Sequence, residues 1–311
     1  MRLRVRYRGF LLWLAVVPLS GCLFRSRKIE QPFNYAEIKT ATQQELIDYI
    51  DTQAAAIQSL QATVDIDTTV GGVKKGQVTD YQQIRGYVLA RKPAMLRMIG
   101  LMPMVRNTAF DMVSDGAEFK LWIPPKNRFV VGRNDSETHA PAHPFENLRP
   151  QAIYDALLLR PIDPDKEIAV LENDTEIPAE VKKNTIVRAD YVIDVIAKAG
   201  QGWQLSRKVI FSRIDLLPHR QLLYDEKGDV ATSAIYRGYK KDEHGVSYPW
   251  QIEIARPQEE YDITLSVVKL DINQPLPDDK FVLQQPPGVP VVHIDQPPAS
   301  AGQSPADSSG R

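Results

Sequence analysis

The sequence predicts a mainly β protein of the α+β class, in which a large curled antiparallel sheet is accompanied by a few helices. The first observation is residues 84–132, where short runs of alternating apolar residues are separated by turn signals such as Ser114-Asp115-Gly116. This spacing is typical of antiparallel strands joined by tight turns. The second is that similar alternation returns between residues 185 and 272. Helical signals are few beside the strands, which favours a sheet with helices on one side.

The N-terminus has the features of a bacterial lipoprotein signal. Four arginines in the first nine residues precede a ten-residue apolar run, which is too short to span a bilayer as a helix. The following Leu19-Ser20-Gly21-Cys22 resembles a lipobox, whose cysteine is lipidated and becomes the first mature residue. An ordinary secretory signal or an uncleaved anchor is the alternative. Residue 23 is Leu23 and not aspartate, which under the enterobacterial sorting rule implies the outer membrane.

Four segments follow from this assignment. Residues 1–21 form the signal peptide, and residues 22–41 form a membrane tether without periodicity, whose flexible part has a reach of roughly 23 Å. Residues 42–285 form the folded domain. Residues 286–311 are rich in proline, serine, glycine and alanine, so we expect a disordered tail.

The folded domain begins with a helix over about 42–59. Thr42 and Glu45 fit a capping box, and Leu46 and Ile50 are among the apolar residues that fall near one helical face. A strand with alternating apolar residues follows from residue 60, and Gly71-Gly72 predicts its hairpin turn. Five strand segments then occupy residues 81–131, and the strands resume from Glu167. Further strands lie near 185–195, 203–211, 219–224, 229–236, 248–254 and 261–272.

Five of the six methionines lie between Met95 and Met112. Within this methionine-rich region, the loop that follows the strand at residues 94–99 runs from Gly100 to Val105. It is apolar, although loops are normally polar. Two interpretations stay open: the loop packs under a helix, or it projects Leu101, Met102 and Met104 toward a lipid surface or an acyl chain.

Several short motifs, in this order, resemble those of the lipoprotein-localisation superfamily of LolA carriers and LolB receptors. The matching residues are Gly86, Arg91-Lys92-Pro93, Arg97, Ser114-Asp115-Gly116, Leu121-Trp122-Ile123-Pro124, Val130-Val131-Gly132 and the closing run Leu276-Pro277-Asp278-Asp279-Lys280-Phe281-Val282-Leu283. The resemblance covers about residues 42–290. The chain departs from it by extra material around 133–185 and by its tail.

This resemblance implies a curved antiparallel half-barrel sheet with helices forming a lid over an apolar cavity that binds acyl chains without catalysis. An N-terminal lipid anchor favours the LolB-like side. The cavity would be lined by apolar residues of the first strands, namely Val64, Ile66, Tyr87, Leu89, Leu96, Met98, Phe110, Met112, Phe119 and Leu121. A segment at 149–159, with Pro150 at its start, is either a lid helix or an ordinary packed helix.

Other chemistries find little support in the sequence. His139 and His143 have a zinc-pair spacing, but Pro141 and Pro144 oppose the helix that this spacing needs, so we expect no metal and no cofactor. No hydrolase, phosphate-loop, zinc-protease or dinucleotide motif occurs, so we expect no enzyme. The charges balance, with 38 basic and 39 acidic residues, and do not indicate a nucleic-acid partner.

The sequence therefore predicts an outer-membrane lipoprotein, anchored through Cys22 at the periplasmic face. It would bind a lipid acyl chain or a lipoprotein in envelope transport or insertion, with a periplasmic carrier or an envelope complex as partner. The alternative is a structural or sensory accessory lipoprotein with a closed core and no ligand.

Overall fold

The computed structural model describes residues 33–35, 38–74, 76–134, 149–176, 185–243 and 245–295. The chain divides into two compact units, Met1–Ala36 with Ile177–Val187, and Glu37–Glu176 with Arg188–Arg311. In the first unit, strand β1 (Phe33–Tyr35) pairs in parallel with residues 185–187. The site lies in the second unit, which the rest of the description concerns.

The second unit begins with helix α1 (Gln43–Ala56). The predicted capping box is present, because the Thr42 side chain accepts from the backbone N–H of Glu45 and the Glu45 carboxylate accepts from that of Thr42. The helix ends three residues earlier than predicted, since Ile57 is already extended and leads into a strand.

The strands of the first half are β2 (Ser59–Gly72), β3 (Gln77–Arg91), β4 (Met95–Leu101), β5 (Thr108–Ser114), β6 (Glu118–Ile123) and β7 (Arg128–Arg133). Each pairs antiparallel with the next. The β2–β3 turn lies beyond the predicted Gly71-Gly72, because both glycines still pair with β3.

Helix α2 (Pro150–Leu157) follows, with proline in its first turn as the sequence predicts. The later strands are β8 (Glu167–Glu176), β9 (Thr185–Ala199), β10 (Gly202–Ser212), β11 (Pro218–Tyr224), β12 (Val230–Arg237), β13 (Lys240–Lys241), β14 (Ser247–Tyr248), β15 (Gln251–Arg256), β16 (Tyr261–Ile272) and β17 (Val291–His293). Two short 3₁₀ turns lie at Pro124–Lys126 and Asp278–Phe281.

One large sheet contains all the described strands of the second unit except β13 and β14, which pair with each other. Its order is β8-β9-β10-β11-β12-β15-β16-β2-β3-β4-β5-β6-β7-β17, and every pair except β7–β17 is antiparallel. The sheet is not closed. The predicted fold class, a mainly β protein with a large antiparallel sheet and few helices, is confirmed.

The start of the C-terminal tail differs from its prediction. Residues 291–293 pair in parallel with 129–131 of β7, and Val289 and Ile294 are buried. The tail was predicted to be disordered because its overall composition is rich in proline. The few apolar residues at its start are ordered by backbone hydrogen bonds to the edge strand β7. Residues 296–311 lie outside the described residues.

Candidate functional site

Most of the residues that the sequence assigned to a cavity lie in one buried apolar core. Seven of them are at most 2% exposed: Val64, Ile66, Leu96, Met98, Met112, Phe119 and Leu121. Phe110 is half-buried and packs against the same core. Together with side chains from α2 and from the later strands, these residues fill the interior between sheet and helix.

Tyr87 and Leu89 do not belong to this interior, and their assignment was wrong. Tyr87 is 41% exposed, while its neighbours Val88 and Ala90 face the core. The inner face of β3 is therefore formed by residues 84, 86, 88 and 90, and Tyr87 and Leu89 lie on the outer face. Gly86 explains why: a β-carbon there would lie 2.5 Å from the Ile66 side chain, so Ile66 occupies the inner side at this point.

Helix α2 covers the core side of β4, β5 and β15. Six of its eight residues are buried, among them Ile153 and Leu157. Polar contacts fix both ends, since Arg149 N donates to Tyr261 Oη (3.2 Å) and Tyr248 Oη donates to Leu157 O (3.0 Å). The helix thus packs firmly on the apolar core, as either a lid helix or an ordinary packed helix would.

The pocket on the α1 side of α2 is small. A pocket between α1 and α2 has a volume of about 30 Å³ and is lined by Tyr49, Ile57, Leu157, Tyr236 and Tyr248, among others. Burial raises the pKa of Tyr49 to about 12. A pocket of this volume holds only a few water molecules, so an acyl chain does not fit in it while α2 is in place.

The loop between β4 and β5 is exposed, so the interpretation that it packs under a helix was wrong. Leu101 is half-buried at the end of β4, Met102 is 37% exposed, Val105 is 62% exposed, and Met104 is fully exposed. Backbone hydrogen bonds order the turn, with Met102 N donating to Asn107 O at 2.7 Å. Met104 has φ 64°, a left-handed conformation that a non-glycine residue adopts at a cost.

The chain enters the second unit far from this loop. Lys39 N donates to Arg213 O (2.6 Å), in the turn between β10 and β11. Because consecutive paired strands alternate in direction, this turn and the β4–β5 loop lie at opposite ends of the sheet. The 14-residue strand β2 gives the scale of the separation, roughly 45 Å.

Sequence reasoning missed a polar cluster on the other side of α2. Arg207 of β10 is 1% exposed, and its guanidinium donates to Arg160 O (2.6 Å) and Pro161 O (2.9 Å). Burial lowers the pKa of Arg207 to about 10. The alternation in β10 could have shown that Arg207 shares a face with buried Val209, but it could not have shown which groups face it.

Asp155 of α2 belongs to the same cluster. Burial raises the pKa of Asp155, and the hydrogen bond from Gln151 and the charges of Arg160 and Arg207 oppose this effect only in part. Asp155 therefore binds its proton more tightly in the folded chain than in the unfolded chain.

The raised pKa of Asp155 predicts that the free energy of unfolding depends on pH, and that Asp155→Asn removes this contribution. From the unfolded pKa of about 4 up to the folded pKa, the folded state binds more protons, so the stability of the wild type falls as the pH rises. We expect the free energy of unfolding of the variant, minus that of the wild type, to increase with pH over this interval and then to level off. Urea unfolding of both chains between about pH 4 and pH 8 measures it. A difference that stays constant with pH would contradict the assignment.

The remaining predicted sites give no structural result. Cys22, His139 and His143 lie outside the described residues. Within the part of the chain that the structure describes, no three His, Cys, Asp or Glu side chains come together as metal ligands. In that same part, no helix has the length and apolar character that crossing a bilayer requires.

Fold and site together define a class, an open antiparallel-sheet protein whose apolar core is covered by one short helix. No protein-family model matches the chain, and no curated protein does. Among solved structures, the chain is similar to a DUF1329 family protein from Desulfovibrio piger, with 15% identity, 77% of this chain and 95% of that chain covered, and a TM-score of 0.48.

Two further solved structures are similar to a comparable extent. A LolA superfamily protein from Nitrosomonas europaea has 13% identity, with 78% of this chain and 99% of that chain covered and a TM-score of 0.46. A putative outer membrane lipoprotein-sorting protein domain from Vibrio parahaemolyticus has 10% identity, with 77% and 97% covered and a TM-score of 0.44. At these identities, function is inferred from this chain's own residues.

Proposed function

We propose that this protein is a non-catalytic lipoprotein of the outer membrane, anchored through lipid on Cys22 at the periplasmic face. It binds the acyl chains of lipids or lipoproteins and serves their transport or insertion in the envelope. The observation that carries the proposal is the exposed apolar loop Met102–Val105 at the tip of an otherwise paired sheet.

The loop has the properties of a lipid-contacting element. Its ordered backbone holds Met102, Met104 and Val105 in water, where each loses the free energy that burial would provide. Burial of a methionine side chain contributes about 1.5–3 kcal/mol. Thioether side chains also adapt to irregular apolar surfaces. Contact with acyl chains would recover this free energy.

An acyl chain would bind where α2 lies in this structure. The side chains of Ile153 and Leu157 occupy the core side of the sheet, and the nearby pocket holds only about 30 Å³. Each buried methylene group contributes about 0.8 kcal/mol, so a long chain can compensate for the contacts of a displaced short helix. Ligand binding is therefore coupled to movement of α2.

The position of the loop suits capture of lipid at a distance from the anchor. The chain enters the second unit at the β10–β11 turn, and the loop lies at the opposite end of the sheet.

The alternative function is a structural or sensory accessory lipoprotein without a ligand. The filled core favours it, because the predicted lining residues pack against each other and against α2. The two functions differ in whether α2 moves.

The loop is tested by Met102→Gln with Met104→Asn in a full chain that also carries Cys22→Ser, so that no lipid anchor contributes. Asparagine tolerates the left-handed conformation at position 104. Met104 is fully exposed and Met102 partly, so their replacement removes about 2–4 kcal/mol of transfer free energy and should lower the partition coefficient onto phospholipid vesicles by roughly thirtyfold to a thousandfold. Co-flotation with vesicles measures it.

The matched control is Ile214→Gln with Val268→Gln in the same chain. Both control residues are apolar and exposed, and Ile214 lies in the turn at the opposite end of the sheet. The control pair should leave the partition coefficient unchanged. Equal partition of the loop variant, the control and the parent would overturn the role of the loop.

A further inference from the structure

Strand β8 is a long edge of the large sheet. It has ten residues, and no described strand pairs with it on the side away from β9. The strand at the other end of the sheet order, β17, has only three residues. An edge strand presents a row of backbone N–H and C=O groups that can pair with a strand of another chain.

Alternate residues of β8 turn their backbone groups away from β9. Lys198 N donates to Lys166 O at 3.0 Å, so the even-numbered residues turn their backbone groups toward β9. The odd-numbered residues, including Ala169, therefore turn theirs to the outer edge. The side chain of Gln43 shows the same direction, because its Nε2 donates to Ala169 O at 3.0 Å. Gln43 is exposed, so the backbone of an incoming strand can replace its side chain.

Apolar side chains lie on the outer face of the sheet beside this edge. Ile168 and Val170 are 45% and 44% exposed, whereas Ala169 points to the other face and packs against the core cluster under α1. Ile168 pairs with Ile196 of β9, which pairs with Leu205 of β10, and both partners are half-buried. Exposed apolar residues in a row on an edge strand favour pairing with another strand.

Two charged residues make this face complementary to itself. Lys166 and Glu172 lie on the same face as Ile168 and Val170, because side chains alternate along a strand. If two copies of β8 pair antiparallel about a two-fold axis at Ala169, Lys166 of each copy lies opposite Glu172 of the other. Ile168 of each copy then lies opposite Val170 of the other. Each side chain therefore meets one of matching character.

The charges select this register over its neighbours. An axis one residue later would place Ile168 opposite Glu172, and an axis one residue earlier would place Lys166 opposite Val170. With the axis at Ala169, the pairs joined by backbone hydrogen bonds contain only odd-numbered residues. These are the residues whose backbone groups turn to the outer edge.

The two charged side chains are accessible to a partner. The Lys166 side chain is 79% exposed and lies 3.4 Å from Asp163, and the Glu172 side chain is 53% exposed and lies 3.6 Å from Lys208. Exposed ion pairs of this kind contribute little to stability. New pairs between two copies therefore compete with weak contacts only.

We propose that a second copy of this chain pairs with the outer edge of β8, antiparallel and about a two-fold axis at Ala169, so that two sheets become one. The same residues serve both copies, as in other two-fold dimers. The contact consists of one short strand from each copy, so the dimer is weak. The pairing does not depend on the proposed lipid-binding function.

Sedimentation equilibrium at low salt measures the association, in a full chain that carries Cys22→Ser and has no lipid anchor. We expect a monomer–dimer equilibrium with a dissociation constant of roughly 1–100 µM, as for small transient interfaces. The loop variant Met102→Gln with Met104→Asn should associate as the parent does, which separates this result from the test of lipid binding. A chain that stays monomeric up to about 1 mM would overturn the proposal.

Charge variants test the facing residues. Lys166→Glu and Glu172→Lys each place like charges opposite each other twice in the dimer, so each should weaken the association by about tenfold. An equimolar mixture of the two variants restores opposite charges at both pairs and should associate about tenfold more tightly than either variant alone. Lys241→Glu, the same change at an exposed residue of β13, should have no effect. If the mixture associates no better than the separate variants, the copies do not pair through these residues.

Single cysteines locate the axis. The Cys22→Ser chain has no other cysteine, so Ala169→Cys and Asn173→Cys each introduce one. In the proposed dimer, the two Cα atoms at position 169 lie about 5.5 Å apart, which a disulfide can bridge. The two Cα atoms at position 173 lie roughly 26 Å apart.

Mild oxidation should therefore cross-link Ala169→Cys into a covalent dimer and leave Asn173→Cys uncross-linked. Circular dichroism verifies that each variant folds. If the folded variants cross-link equally, or if Asn173→Cys cross-links faster, the two copies do not meet at Ala169 and the proposal fails.

Discussion

Replacement of Arg207 with alanine is expected to lower the free energy of unfolding by about 3–5 kcal/mol. The guanidinium is buried and donates to the carbonyls of Arg160 and Pro161, which connect α2 to β8. Alanine would leave these carbonyls without their donor, would remove one of the two arginines beside the buried Glu167 carboxylate, and would create a cavity. Urea unfolding with a fitted slope measures the change.

Two comparisons isolate the cause. Arg207→Met retains most of the volume and loses only the polar contacts, so its loss should be smaller than that of alanine. Arg160→Ala removes an exposed guanidinium and should cost about 1 kcal/mol or less, although it also pairs with Glu167. If Arg207→Ala cost no more than Arg160→Ala, the buried guanidinium would not stabilise this region.

The succession of strands and turns along the chain was predictable because it depends on local signals. Alternating apolar residues and turn residues such as Asp115-Gly116 act within a few positions, and the capping box at Thr42 acts within three. The face assigned to β3 was wrong because alternation separates the two faces of a strand without showing which of them is buried. Gly86 and Ala90 face the core, and the approach of Ile66 of the neighbouring strand to Gly86 is a long-range contact that no local signal contains.

Long-range pairing was not predictable from these signals. The parallel strand β17 depends on an edge of β7 that lies more than 150 residues earlier in the chain. Arg207 likewise depends on carbonyls at the end of the α2 segment. Whether the core encloses a cavity depends on how the side chains of many strands and of α2 fill a common volume, and no pattern along the chain contains that information.

Ile153→Ala is expected to raise the affinity for an acyl chain about thirtyfold while it destabilises the protein. Ile153 lies on α2, which covers β4 and β5, and its side chain is fully buried in the core. Loss of an isoleucine side chain to alanine costs about 2–5 kcal/mol. If a ligand must displace α2, a helix held about 2 kcal/mol more weakly opens more often, and the apparent affinity rises in proportion.

A titration with a pyrene-labelled fatty acid measures the affinity, and hydrogen exchange of the α2 amides measures the opening. The matched control is Ile193→Ala, the same change at a fully buried position of β9 in a separate core cluster that contains no α2 residue. The free energy of unfolding of Ile193→Ala should fall by about as much as that of Ile153→Ala, while its affinity for the fatty acid stays at the wild-type value. If Ile153→Ala loses stability and its affinity stays at the wild-type value, α2 is a fixed part of a closed core. The protein would then have the accessory function, because the same contacts that exclude an acyl chain in this structure would exclude it at all times.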